Sequence, residues 1–581
     1  MEELKPAPLR PRPLQCDFQN LKTWLRQCET VHGSLCSSPG YDEVPAFRLV
    51  DTCSRCIIDA SVFEKTPKYL TLSYVWGTGA QKWHLTARSL ASVCEEGFLD
   101  TVPLATTICD AMQLVRKIGE RFLWVDSLCI IQDSEEDKLQ QIPYMGSIYE
   151  QALVTIVAAS AEDANGGLPG VRPGTRNLQP HVLQTEELTL TSTLETEIEN
   201  STGYNHGFWP IDTRKWTFQE SILSRRCLIF SKEQVYWQCR RTMWSEEMLL
   251  QPTQKSAFAG WTLWCLKRKK ININAVAGEA EGKFAKTYRD LVRDYSNRSS
   301  TFHVDTLHAF QGIISVITRL TDVKFIWAIP QPGFDYYLLW TDNRSPGRGS
   351  RSATTVFPSW SWIAWQGEVK PPLLADVPEL ECYVLECDEI CLDLANTPLL
   401  RIHGDSKRIQ TLPNFKHQAP TYPMREWKHK DLTVTTTDIS KLHVKASLVG
   451  RFHIFFWTSL ASLYVCDDQE EIRLCLPVTR KCLHACSDFM SGETSSGERV
   501  VKLEPGRQVR RWSMQHGRAA AAAPSLQDFI VVGSMVDHTP SALTIMMISW
   551  KEGIAQREYL TTINEKDWME TDRSWRLVVL G

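Results

Sequence analysis

A regular alternation of strand and helix patterns between residues 68 and 170 constrains the fold more than any other part of the sequence. Three short β-rich runs, Tyr69–Trp76, Arg121–Asp126 and Gln151–Ala159, are separated by two segments with helical periodicity. The third run is apolar throughout, as strands covered on both faces of a sheet are. The order strand, helix, strand, helix, strand predicts an α/β fold with a parallel sheet and right-handed crossovers.

Both intervening segments carry helix boundary signals. The first begins near Pro103 and ends at Gly119, and its apolar residues recur at helical spacing. The second follows Ser134, a favoured N-cap residue, and Pro143 predicts a bend within it.

Beyond Gly170 the strand and helix alternation stops. A polar insertion with some strand is expected over residues 171–210, and short β-rich runs alternate with turns from about Pro371 onward. Between these regions, the sequence predicts helices and a β-hairpin: helices over Trp216–Ser224, Phe284–Arg298 and Thr306–Leu320, and hairpin strands at Arg226–Phe230 and Val235–Cys239.

These changes divide the chain into five segments. They are a disordered Pro-rich tail (1–13), a helical, cysteine-containing lead-in (14–67), the α/β domain (68–240), a helical accessory region that includes Pro358-Ser-Trp-Ser-Trp362 (241–370), and a β-rich C-terminal region with low-complexity inserts (371–581).

Composition excludes several classes of protein. The chain has 581 residues, with Lys+Arg 64 against Asp+Glu 68, and the resulting net charge of −4 lacks the basic excess of a dedicated nucleic-acid binder. We expect no secretory signal, because Met1–Pro13 lacks the apolar stretch that such a signal needs. We expect no membrane span, because the richest apolar run, His453–Cys466, is short and predicts a buried strand. The 18 Cys are therefore expected to be reduced thiols of a cytosolic or nuclear protein rather than a disulfide framework, and of these two locations we predict the cytoplasm. The 21 Trp predict large apolar surfaces used for packing or for protein contacts.

The carboxyl ends of the three predicted strands indicate where a ligand would bind. In an open parallel sheet, ligands lie outside these ends. The edge collects Trp76 and Gly77 after the first strand, Asp126 at the end of the second and Ser160 after the third. We interpret Asp126 as a candidate catalytic carboxylate, and Trp76, Gly77 and Ser160 as candidate cofactor-binding residues.

Two carboxylates have structural alternatives to these roles. Asp126 could cap the turn that follows it by accepting the backbone N–H of Leu128 or Cys129. Glu220, the second candidate catalytic residue, either forms a structural ion pair with Arg225 or Arg226, or is brought to the same sheet edge.

No metal site is assigned from the sequence, although one cluster is suggestive. Cys28-x3-His32-x3-Cys36, with Cys53-x2-Cys56 shortly after, offers up to five zinc ligands, but the usual paired CxxC knuckles are absent. Cys482-x-His484-x-Cys486 lacks an obvious fourth ligand. No phosphate-binding or dinucleotide-binding glycine motif occurs, so the cofactor is left open.

Several runs together resemble the heterokaryon incompatibility (HET) domain of filamentous fungi. The resemblance rests on five motifs whose order and spacing agree with that domain: Tyr69-Leu-Thr-Leu-Ser-Tyr-Val-Trp-Gly77, Val102-Pro-Leu-Ala-Thr-Thr-Ile-Cys-Asp-Ala111, Phe122-Leu-Trp-Val-Asp-Ser-Leu-Cys-Ile-Ile-Gln-Asp133, Met145-Gly-Ser-Ile-Tyr149 and Trp216-Thr-Phe-Gln-Glu220. The Pro358–Trp362 motif is similar to a segment that commonly follows such domains. The resemblance covers about Tyr69 to Glu220 and implies a HET domain over residues 68–240.

The resemblance implies nonself recognition, in which proteins of this family trigger growth arrest and cell death after incompatible hyphal fusion. One interpretation is a non-catalytic signalling module that acts by self-association or by docking a protein partner through Trp-rich surface. Nucleic acid is not an expected partner, because the net charge is close to neutral. The HET domain is in turn likened to the Toll/interleukin-receptor (TIR) fold, some members of which cleave NAD with a glutamate. By that analogy NAD is a possible substrate, Glu220 the first candidate carboxylate, Asp126 the second and Trp76 a wall of the site.

Overall fold

The computed structural model of the chain contains two compact units, Met1–Val276 with Arg298–Leu320, and Ala277–Asn297 with Thr321–Gly581. The residues that the structure describes are 13–33, 36–37, 43–77, 79, 83–176, 182–184, 189–191, 209–247, 273, 283–342, 356–372, 376–378, 382–385, 399–402, 434, 453–467, 472–475, 525–535 and 542–581.

The strands fall into a first group of short strands and a second group that includes long ones. The first group is β1 Arg48–Asp51, β2 Cys56–Asp59, β3 Tyr69–Ser73, β4 Phe122–Trp124, β5 Thr155–Ala158, β6 Val182–Gln184, β7 Thr189–Thr191, β8 Arg226–Phe230, β9 Val235–Cys239 and β10 Met243–Ser245. The second is β11 Phe325–Ile326, β12 Ile329–Pro330, β13 Thr341–Asp342, β14 Val369–Lys370, β15 Asp376–Pro378, β16 Tyr383–Leu385, β17 Leu399–Arg401, β18 Ile454–Asp467, β19 Ile472–Cys475, β20 Ser525–Met535, β21 Ala542–Lys551, β22 Ile554–Asn564 and β23 Ser574–Leu580.

The α-helices are α1 Phe18–Val31, α2 Thr106–Ile118, α3 Asp126–Cys129, α4 Glu135–Gln141, α5 Met145–Gln151, α6 Lys215–Leu223, α7 Lys283–Ser296, α8 Asp305–Thr321, α9 Phe334–Tyr337 and α10 Glu565–Met569. Short 3-10 helices span Ala60–Val62, Ala87–Ser89, Phe98–Asp100, Ile142–Tyr144, Pro210–Thr213 and Trp362–Ala364.

A mixed sheet forms the centre of the first unit, and its described strands lie in the order β10-β9-β8-β5-β3-β4-β1-β2. The three strands predicted from the sequence are adjacent and parallel, with β3 paired to both β4 and β5. The parallel α/β core is therefore confirmed. The sheet is mixed rather than purely parallel as predicted. The β1–β2 hairpin adds antiparallel strands on one side of the parallel core, and the β9–β10 hairpin adds them on the other.

The strand order of the parallel core contains a reversal. The chain steps from β3 to β4 in one direction, then crosses back over β3 to β5 and continues to β8. Such a reversal is the topological switch point of a doubly wound sheet, where the loops leaving two adjacent strands diverge and leave room for a ligand. Here the switch point lies between β3 and β5.

The helix boundaries follow the sequence signals closely. Ser134 caps α4 by accepting the N–H of Asp137, and Gly119 ends α2 in the left-handed conformation (φ 89°). Pro143 lies in the 3-10 turn that separates α4 from α5, which is the predicted bend. The first crossover helix, α2, begins at Thr106, three residues after the predicted start at Pro103. The predicted β-hairpin is present as the antiparallel pair β8–β9.

Two glycines allow α5 and α8 to cross at close range. A Cβ on Gly146 would lie 2.7 Å from the Cα of Gly312, and a Cβ on Gly312 would lie 2.7 Å from Gln219 Oε1. Real Cβ atoms do not approach backbone atoms this closely, so both positions require glycine. The crossing fixes the position of α6, which packs on α5 and carries Gln219.

In the second unit, five described strands close into a ring. β18 pairs with both β20 and β23, β20 with β21, β21 with β22, and β22 with β23. Alternate residues of these strands form one apolar cluster, covered by the buried Trp568 of α10. Closure pairs the strand edges that an open sheet would expose. The predicted β-rich C-terminal region and the buried strand at His453–Cys466 are confirmed.

The Pro358–Trp362 motif lies in this second unit and makes buried polar contacts. Ser359 Oγ accepts the backbone N–H of Arg557 (2.9 Å), and the indole N–H of Trp362 donates to the Tyr288 hydroxyl (3.1 Å). The motif therefore connects the ring of strands to α7 within one unit. Within the described residues, no helix has the length and apolar character needed to cross a membrane.

We expect Gly146→Ala to lower the free energy of unfolding by about 1–3 kcal/mol, because the added methyl overpacks the α5–α8 crossing. The measurement is urea denaturation followed by tryptophan fluorescence. Ser315→Ala, at an exposed position of α8, is the control and is expected to change the value by less than about 0.5 kcal/mol. Equal effects of the two substitutions would contradict the close crossing.

Candidate active site at the sheet edge

Trp76, in the loop that follows β3, and Asp126, the first residue of α3 after β4, meet at the carboxyl edge of the sheet. The Trp76 indole N–H donates to Asp126 Oδ2 (2.9 Å), and the backbone N–H of Ser127 donates to Oδ1 (2.7 Å). The Tyr74 hydroxyl hydrogen-bonds Ser127 Oγ (2.8 Å). The parallel pairing of β3 and β4 produces this contact, because it brings both strand ends to one edge.

Glu220 on α6 reaches the same edge. Ser73, the last residue of β3, and Tyr149 of α5 lie close enough to its carboxyl group to lower its pKa, and the Tyr149 hydroxyl donates to Leu72 O (3.1 Å). Its Oε2 atom is buried and has no hydrogen-bond partner among the described residues. A buried carboxyl oxygen without a partner is costly, so such atoms mark positions where a ligand or a proton is expected.

Burial shifts the pKa of both carboxyl groups upward. Burial raises the pKa of Glu220 to about 8, with the nearby Asp126 adding to the shift and Ser73, Arg214 and Tyr149 opposing it. Asp126 is half-buried, and the protein packed around it raises its pKa to about 6, although the N–H groups of Ser127 and Trp76 favour the charged form.

The two carboxyl groups therefore differ in charge at neutral pH. Asp126 is mostly ionised and Glu220 mostly protonated, the arrangement by which neighbouring carboxyl groups divide acid and base roles. The Arg214 guanidinium lies close enough to lower the pKa of both. The site thus combines an anion, a neutral acid, a cation and an indole.

The other sequence candidates, Gly77 and Ser160, make no recorded hydrogen bond to either carboxyl group within the described residues. Gly77 follows Trp76, is exposed and has a positive φ of 72°. Ser160 is half-buried, and its backbone N–H donates to Phe230 O (3.4 Å). The loop after β5 approaches Trp76 through another residue, because the N–H of Ala164 donates to Trp76 O (3.2 Å).

The expected ion pair between Glu220 and Arg225 or Arg226 is wrong. Both arginines lie beyond the end of α6, and the backbone turns them toward other partners. Arg225 donates to the carbonyls of Glu150, Gln151, Ala152 and Cys36, and Arg226 donates to Leu153 O and Cys28 Sγ.

The expected capping hydrogen bonds from the backbone N–H groups of Leu128 or Cys129 to the Asp126 carboxylate are wrong. The carboxylate accepts the N–H of Ser127, whereas those of Leu128 and Cys129 donate to Val125 O. The buried thiol of Cys129 receives the Val125 N–H, and burial raises its pKa to about 12, so it is no nucleophile at neutral pH.

Sequence reasoning missed the polar residues that surround the carboxyls, Ser73, Tyr74, Tyr149 and Arg214. Each lies within or beside a motif already singled out, but no spacing rule predicts that a helix residue and a strand residue share one site. Arg214 precedes α6 directly, so its closeness to Asp126 depends on the packing of α6 against β3.

The structure brings together only some of the five possible zinc ligands that the sequence indicated. Cys28, His32 and Cys36 come together with Cys239 at the end of β9, and their ligand atoms all lie within 4.8 Å of one another. Cys53 is exposed and Cys56 lies on β2, and neither joins this group. The Cys482–Cys486 triplet lies outside the described residues.

The comparisons with known proteins concern the part of the chain that carries the candidate active site. Residues 69–220 match the family described as "Heterokaryon incompatibility protein (HET)". Over 131 residues the chain is 29% identical to "Heterokaryon incompatibility protein 6, OR allele" of Neurospora crassa, an alignment covering 21% of this chain and 18% of that protein. The chain therefore matches less than a fifth of this relative's length. No solved structure matches the chain.

The raised pKa of Glu220 predicts that stability falls as pH rises. The folded state holds the proton more tightly than the unfolded state, so each pH unit between the unfolded pKa and about 8 removes up to about 1.4 kcal/mol. We expect Glu220→Gln to flatten this decline, measured by urea denaturation between pH 5 and pH 8. The exposed Glu95→Gln is the control and should keep the wild-type slope. An unchanged slope in Glu220→Gln would contradict the burial of a titrating carboxyl there.

Proposed function

The chain is a heterokaryon incompatibility (HET) domain protein, and we propose that it acts in fungal heterokaryon incompatibility. The observation that carries the proposal is the family match over residues 69–220, which contains Trp76, Asp126, Arg214 and Glu220. The same residues form the parallel core and its polar edge. The site would therefore belong to the activity common to the domain.

The finer proposal is a role in nonself recognition that ends in growth arrest and cell death. We place the protein in the cytoplasm, where its free thiols remain reduced. Its partners would be proteins or a second copy of the chain, since a net charge of −4 does not favour nucleic acid.

A second candidate function is hydrolysis of an NAD-type nucleotide in a TIR-like manner. The specific observation in its favour is the pair of carboxyls with raised pKa beside Trp76 and Arg214 at the edge of the sheet. An indole can stack on a nicotinamide or adenine ring, and a guanidinium can bind a phosphate.

The chemistry would break the bond between the ribose C1′ and the nicotinamide nitrogen. The bonding electron pair leaves with nicotinamide, and water adds to the oxocarbenium-like ribose, so NAD and water yield nicotinamide, ADP-ribose and a proton. The ionised Asp126 would stabilise the positive charge that develops on the ribose. The protonated Glu220 would donate a hydrogen bond to a ribose hydroxyl.

The incompatibility role is tested by expression in a filamentous fungus. We expect wild-type expression to arrest growth and kill hyphal cells, scored by colony growth and a membrane-impermeant dye. Asp126→Asn and Glu220→Ala should abolish the effect at equal protein level, because the first removes the anion and the second removes the hydrogen-bond donor, whereas the exposed Glu95→Ala should retain it. If both site variants remained fully toxic, the incompatibility function would not depend on the carboxyl groups at this edge of the sheet.

Hydrolysis of NAD is tested separately on the purified chain by measuring release of nicotinamide. We expect a rate that rises as Asp126 ionises near pH 6 and falls as Glu220 loses its proton near pH 8. Asp126→Asn should lower the rate by at least about 100-fold. If toxicity depended on the two carboxyl groups but the chain consumed no NAD at any pH, the NAD hydrolase proposal would be wrong and the incompatibility role would still stand.

A further inference from the structure

We propose that Cys28, His32, Cys36 and Cys239 form a structural zinc site in the first unit. Their three sulfurs and one imidazole nitrogen converge, each pair of ligand atoms lying within 4.8 Å, and all four residues are buried. This group lies apart from the carboxylate site and involves none of its residues.

The geometry follows from the end of α1 and the end of β9. Cys28 is in the last turn of α1, and His32 is its C-cap residue one turn later on the same face. Cys36 follows, its N–H donating to Gly33 O (3.2 Å). Cys239, the last residue of β9, approaches from the sheet, with its Sγ 3.3 Å from His32 Nδ1.

The donor set is that of a closed zinc site. Three thiolates and one imidazole in tetrahedral array are a common structural zinc set, whose donors are about 3.3–3.8 Å apart given zinc bond lengths near 2.0–2.3 Å. The four atoms need only a small contraction to reach that spacing. Four protein ligands complete the tetrahedron, so the site serves structure rather than catalysis.

The surroundings supply the second layer of contacts that zinc thiolates need. Arg226 Nε donates to Cys28 Sγ (3.2 Å), and the N–H of Thr242 donates to Cys239 Sγ (3.4 Å). Three thiolates on Zn²⁺ carry a net charge of −1, which the Arg226 guanidinium offsets. Arg225 also binds the Cys36 carbonyl (3.1 Å) and holds that residue in place.

A group of tryptophan rings packs against His32 of the cluster. The His32 ring lies 5.6 Å from the ring of Trp244, which in turn contacts Trp24 (6.4 Å) and stacks on Trp237 (6.0 Å), measured between centroids. An apolar shell of this kind excludes water and strengthens metal–thiolate bonding. A bound zinc would join α1 to the β9–β10 hairpin, which are far apart in sequence.

A disulfide is the competing explanation for three adjacent thiols. It would use two sulfurs at about 2.05 Å and leave the third sulfur and the imidazole without a role. All three thiols are free in the structure, and the convergence of His32 on the same point favours a metal.

The first experiment uses the wild-type full chain, purified under reducing conditions from zinc-supplied cells, with zinc measured by plasma mass spectrometry. We expect about one tightly held zinc per chain from a closed four-ligand site. Alkylation mapping then identifies the ligands, because Cys28, Cys36 and Cys239 should be protected until a chelator removes the metal, while the exposed Cys53 reacts in both states. No bound zinc, a disulfide among the three cysteines, or their full alkylation in the zinc-loaded chain would overturn the proposal.

A second experiment uses matched variants of the full chain. His32→Ala should lose the zinc, and His32→Cys should retain it, because a fourth thiolate replaces the imidazole; Cys53→Ser is the control and should keep the wild-type content. Cobalt substitution should give the visible absorption of tetrahedral thiolate-bound Co²⁺ in wild type and His32→Cys. A full equivalent of zinc in His32→Ala that resists chelation as in wild type would place the metal elsewhere and overturn the proposal.

Discussion

The parallel pairing of β3 with both β4 and β5 is the constraint on which the rest of the first unit depends. Parallel strands deliver their carboxyl ends to one edge, and the reversal of strand order beside β3 separates the loops that leave that edge. Trp76 and Asp126 meet because of this alignment. A shift of either pairing by one residue would turn these side chains to the opposite face of the sheet.

In the first unit, hydrogen-bond and ion-pair partners distinguish structural acidic residues from the carboxyl groups of the candidate site. Buried acids elsewhere are paired, as Asp137 is with Arg48 (2.6 Å) and Glu150 with Arg319 (2.7 Å). Glu220 instead keeps a buried oxygen without a hydrogen-bond partner among the described residues. Burial without a neutralising contact raises the pKa, and a group poised near neutral pH can exchange a proton or meet a ligand.

One short segment connects the carboxylate edge to the thiol cluster. Glu220 lies on α6, and Arg225 and Arg226 follow directly after it. Arg225 holds the Cys36 carbonyl and the end of α5, and Arg226 holds Cys28 Sγ. Loss of the cluster would therefore loosen the anchoring of α6, so cysteine variants should be compared with the site variants only at matched stability.

The elements of the α/β core could be predicted from the sequence, because local periodicity and capping residues such as Ser134 and Gly119 mark helices and strands. The sequence also indicated Trp76 and Asp126, since those residues lie at predicted strand ends, and it indicated Glu220 through the Trp216–Glu220 motif that resembles the HET domain. The folded chain was needed to show that Glu220 lies beside Ser73 rather than Arg225, and that Cys239 meets His32 from 207 residues away. The burial, charge state and contact partners of a side chain depend on packing between segments that are distant in sequence. A local sequence pattern does not reveal which distant segment packs against it.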